Sequence, residues 1–72
     1  MNSNEKLIAN SQVLDGVARV TVVGTNATVV EAREAARAEG RRLLGTEDVR
    51  VENHGWHDSG IAQHAFYQVH AN

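Results

Sequence analysis

Between Val20 and Gly45 an apolar strand ends at Val23-Gly24 and runs almost at once into a helix with both ends marked. Side chains of a strand alternate between faces, so Val17, Arg19, Thr21 and Val23 share one face while Ala18, Val20 and Val22 share the other. Residues 17–23 therefore read as a strand. Gly24 breaks it and Thr25-Asn26-Ala27 forms the joint, after which Thr28 and Glu31 stand at capping-box spacing and open the helix. Val29, Ala32, Ala36, Gly40 and Leu43 follow at spacings of three and four. They form a narrow apolar stripe of mostly small residues, which lets a helix lie close on a sheet. Glu31 and Glu34 near the start and Arg41 and Arg42 near the end complement the helix dipole, and Gly45 stands where a left-handed C-terminal residue is expected.

The rest of the chain is read around this unit. From Asp48 to Asn53 the alternation returns, with Val49 and Val51 inward and Arg50 and Glu52 outward, and Ala62 to Ala71 makes a further strand. The polar, glycine-flanked segment His54 to Gly60 reads as the connection between them. Residues 1–12 are mostly polar, with Leu7 and Ile8 their large apolar pair, and read as an N-terminal arm, leaving a core over 13–72 within one domain of 72 residues. The expectation is an α+β fold in the order β-α-β-β, a three-stranded antiparallel sheet covered by one helix.

So short a chain buries a modest share of its surface. Cysteine is absent, which excludes disulfides, thiolate metal sites and a cysteine nucleophile, and points to self-association as the substitute. Apolar side chains on both faces of the first strand favour a homo-oligomer built through the sheet. A net charge of −2, from nine acids and seven bases spread along the chain, is not that of a nucleic-acid binder. No apolar run reaches the length of a membrane span, and Met1 to Lys6 lacks the pattern of a signal peptide, so a cytoplasmic location is expected.

Four histidines crowd the C-terminal part: His54, His57, His64 and His70. Were the hairpin to bring His54 or His57 opposite His64 with Asp58 or Glu52 nearby, zinc or nickel would find ligands there. Spacing speaks against it, because His54 and His57 differ by three and leave a regular strand on opposite faces, so no metal is expected. Arg33, Arg37 and Arg41 form a helical stripe that Glu34 and Glu39 partly neutralise, and it reads as a solvated face. No nucleophile and base stand at recognisable spacing, and a non-enzymatic protein is expected. Trp56, the one tryptophan, could serve a subunit contact or stack on a planar ligand.

Val22-Val23-Gly24-Thr25, the strand beginning at Val49 and Tyr67-Gln68-Val69 together resemble the dodecins, small flavin-binding proteins that assemble into hollow shells. The resemblance runs roughly from Val17 to Val69. It implies a homo-oligomer that binds or stores a small planar ligand such as a flavin, with Gln68 matching the glutamine that hydrogen-bonds the flavin ring. Thr25 at the strand end and Trp56 complete the candidate ligand-binding set. The alternative is a protein-interaction module of bacterial or phage origin that acts through its sheet edge and histidine-bearing hairpin.

Overall fold

Asp15-Gly16 decides the architecture. Asp15 (φ 54°) and Gly16 (φ 76°) are both left-handed, as the two-residue I′ turn of a hairpin requires. In the computed structural model, which describes residues 5–25, 29–60 and 62–72, this turn folds β1 (Glu5–Leu14) back on β2 (Val17–Thr25). The helix α1 (Val29–Leu44) follows, then β3 (Val49–Asp58) and β4 (Gln63–Ala71). The sheet has four strands in the order β1-β2-β4-β3, each pair antiparallel.

The expected three-stranded β-α-β-β fold is therefore incorrect: the order is β-β-α-β-β. Glu5 to Gln12, read as part of an arm, pair with Arg19 to Thr25. A bulge at Ala9, between Ile8 and Asn10, breaks the alternation that would have marked these residues as a strand. Ser11 fastens β1 to the helix, its hydroxyl donating to Glu39 Oε2 at 2.7 Å.

A second correction concerns the C-terminal hairpin. His54 to Asp58 continue β3 and are not a loop, and the turn is confined to the residues after Asp58, where Ser59 N donates to Ala62 O at 3.0 Å. Another bulge lies between Asn53 and Trp56, so two residues, His54 and Gly55, stand opposite Phe66.

One face of the sheet carries the helix. Ala18, Val20, Val22, Ala65, Tyr67 and Val69 from the two central strands are buried there with Val49 and Val51, against Ala32 and Ala36 of α1. These side chains are mostly small, and the helix rides low. At Gly40 a Cβ would lie 2.4 Å from Val69 Cγ1, so only glycine fits where α1 passes over β4.

The ends of α1 follow the sequence only in part. Gly45 (φ 70°) closes the last turn as expected, its N–H donating to Arg41 O at 2.9 Å. Thr28 of the expected capping box lies outside the described residues. On the outer side Arg37 pairs with Glu34 at 3.2 Å and Arg42 with Glu39 at 2.6 Å, the local neutralisation that their spacing suggests. No helix among the described residues is long and apolar enough to cross a membrane.

Candidate functional site

Strand alternation sends half of each strand away from the helix, and pairing fixes which residues meet there. Gln12, Arg19, Gln68 and Glu52 stand opposite one another in a row across all four strands. The next row brings Asn10, Thr21 and Phe66 together, with the His54-Gly55 bulge at its end. Between these rows lies a hollow of about 240 Å³, lined by Asn10, Gln12, Arg19, Thr21, His54, Phe66 and Gln68 with contributions from Val20 and Tyr67.

Phe66 gives the hollow its apolar surface. It is 40 % exposed, although the sheet is two-sided and the core is close at hand. Gly55, at φ 141°, lets the ring lie against the strand: a Cβ there would come to 3.3 Å from Phe66 Cδ2. Asn53 holds the bulge in shape, its Nδ2 donating to Gly55 O at 3.2 Å while its Oδ1 accepts from Gly55 N at 3.3 Å.

Beside the hollow, Glu52 gathers two imidazoles and a guanidinium. Its Oε1 accepts from Nε2 of His54 at 3.3 Å and of His70 at 3.1 Å, and its Oε2 lies 3.5 Å from an Arg50 guanidinium nitrogen. The His54 hydrogen bond is the main cause that holds the Glu52 carboxyl below its ordinary value; desolvation opposes it, and the charges of His70 and Arg50 add to the lowering. A carboxyl depressed in the fold stabilises it above the unfolded value, and that contribution is lost as pH falls through the folded one.

The structure sorts the residues expected from sequence. Gln68 lies in the hollow, whereas Trp56 does not: the register pairs it with Ala65 on the helix side of β3, at the end of the sheet, where it is 42 % exposed. Thr25 is described only as the last backbone position of β2. His54 and His57 were expected on opposite faces, but the bulge between Asn53 and Trp56 shifts the alternation and turns both to the open face. His57 meets His64 with ring centroids 5.8 Å apart, while His54 turns to Glu52. Asp58 accepts from Gly60 N at 2.8 Å. Among the described residues no three histidine or acidic side chains form a group able to hold a metal ion.

Arg19, Phe66, Asn10 and Gln12 were not expected as site residues. The alternation of β2 already put Arg19 beside Thr21, and that of β4 put Phe66 beside Gln68. What sequence reading lacked was the pairing of β2 with β4, which makes these two faces one, and the existence of β1. No family model, curated protein or solved structure matches this chain.

Proposed function

We propose that this chain is a non-enzymatic, self-associating binding protein that holds a small planar ligand on the open face of its sheet, in the cytoplasm. The observation that carries the reading is Phe66, an exposed ring laid against Gly55 in a hollow whose other walls are mainly polar, with the amides of Asn10, Gln12 and Gln68 and the Thr21 hydroxyl beside Arg19 and His54. A planar heterocycle suits such a surface, because a ring stacks on Phe66 while Gln68, Gln12, Asn10 and Thr21 supply hydrogen bonds around its edge. A flavin is the first ligand to test.

The size of the hollow supports self-association. About 240 Å³ falls below the roughly 300–1,000 Å³ of sites that enclose a ligand. A planar molecule seated there keeps one face in water, and a second copy laid across the open face would cover it.

The test is titration of riboflavin, followed by quenching of its own fluorescence. The expected result is saturable quenching that Phe66→Ala reduces at least about tenfold in affinity, the loss of one base-sized stacking contact, and that Trp56→Ala leaves in place. Phe66 is outside the core, so its removal spares the fold. Absence of quenching, or quenching indifferent to Phe66→Ala, contradicts the reading. Sedimentation showing a monomer with riboflavin bound would remove the second copy and keep the site.

A further inference from the structure

Arg19 is placed where a cation has no evident structural purpose. It stands in the middle of the open face, exposed, on the wall of the hollow. Its neighbours across the strands are Gln12 on β1 and Gln68 on β4, both neutral. The nearest carboxylate in that row is Glu52, two strands away, a distance of roughly 10 Å at the usual strand spacing. Glu52 is also already occupied by His54, His70 and Arg50. Among the described residues Arg19 has neither an ion pair nor a hydrogen bond from its guanidinium.

The other arginines show how unusual this is in the molecule. Arg33 donates to Val51 O, Arg41 to Glu47 O, Arg37 and Arg42 pair with glutamates of their own helix, and Arg50 lies against Glu52. Each has a local partner. Arg19 alone among the arginines presents an uncommitted planar fork of donors, and it presents it to the hollow that contains Phe66.

We infer that the ligand of this site is a planar ring bearing an anionic substituent, a phosphate or a carboxylate, and that Arg19 receives the anion while Phe66 receives the ring. The inference rests on the planar-ligand reading above and adds the charge of the ligand to it. A guanidinium matches both anions bidentately, and a charge-assisted pair of this kind is stronger than the neutral contacts available from the flanking amides. The neutral flanks matter for the same reason: no carboxylate competes with the incoming anion. His54, on the same wall, is tied to Glu52.

Riboflavin and its 5′-phosphate share one ring system and differ in the anion, which makes them a matched pair. At low ionic strength the phosphate ester is expected to bind at least about tenfold more tightly than riboflavin, the effect of one charge-assisted pair. The gap should narrow as salt is raised. In Arg19→Gln the two affinities should come together. Equal affinities in the unaltered protein, or a preference for the phosphate ester that survives Arg19→Gln, would overturn the role of Arg19 while leaving the planar site intact. If neither compound binds, the planar reading fails, and titration with inorganic phosphate decides the anion separately. Movement of the Arg19 Nε–H resonance then upholds anion binding, and a stationary resonance removes it.

Discussion

Replacing Gly40 with alanine is expected to lower the stability of the fold by about 1–3 kcal/mol, the usual cost of forcing an extra carbon into a close-packed core. Helix propensity alone forecasts the opposite, because alanine is favoured over glycine by about 1 kcal/mol in a helix interior. Sterics win here for a specific reason. The new Cβ would lie 2.4, 2.6 and 2.8 Å from Cγ1, Cβ and Cγ2 of Val69, which is fully buried on a central strand. A β-branched side chain with one good rotamer cannot swing clear, so the helix must lift from the sheet. Lifting it opens the contacts of Ala32 and Ala36 as well. Urea denaturation measures the effect, and a domain this small should lose roughly 4–8 °C in Tm per kcal/mol. An unchanged or raised Tm would mean that α1 does not cross β4 at Gly40.

Tyr67 should give the largest loss of any single side chain. It is 2 % exposed at the centre of the sheet, and truncating a large buried aromatic ring to alanine costs about 3–5 kcal/mol. At roughly 0.05–0.15 kcal/mol per residue, a chain of this length has only about 4–11 kcal/mol in total. Tyr67→Ala is therefore expected to be largely unfolded at room temperature by circular dichroism. Tyr67→Phe should behave quite differently. The phenol oxygen is buried without a hydrogen-bond partner of good geometry. Burial pushes the phenol above its ordinary value, with Asn53 and Arg33 pulling the other way. Removing an unsatisfied buried hydroxyl gives up nothing and relieves a desolvation cost, so stability should hold or rise by up to about 1 kcal/mol. A loss of more than about 1 kcal/mol in Tyr67→Phe would show that the hydroxyl is bonded, with Asn53 the candidate.

Parts of this architecture could be read from the chain, and the parts that could not have physical causes. Ala18, Val20 and Val22 alternate without interruption, and Ala32, Ala36 and Gly40 keep helical spacing, so both halves of the core were visible. Gly45 marked the helix end for the same reason: a local preference that nothing in the tertiary structure opposes. The first strand was hidden because Ala9 is an extra residue, and Asn10, Ser11 and Gln12 have little intrinsic strand preference. Its clearest sign was Asp15-Gly16, a strong short-range hairpin signal that outweighs the polar character of the segment before it. The bulge at His54-Gly55 concealed the true face of His54 and the continuation of β3. In both places one inserted residue reverses every later side chain, which a periodic reading cannot detect.

The site depended on those same hidden features. Gln68 was expected from its place in Tyr67-Gln68-Val69, but its companions come from β1 and β2, and only the register of the sheet brings them to it. Trp56 was the obvious aromatic by composition, yet pairing with Ala65 directs it to the helix side at the sheet's end. Phe66, less conspicuous in the sequence, is the ring that the open face presents.

The open face of the sheet is the proposed functional surface, and mapping with ¹⁵N-labelled protein tests this most directly. On addition of riboflavin 5′-phosphate, the largest amide shift changes should fall on Asn10, Gln12, Arg19, Thr21, Phe66 and Gln68, in alternation along their strands, with the outer residues of α1 unmoved. Changes centred on the helix or on Trp56, or none at millimolar ligand, would contradict it.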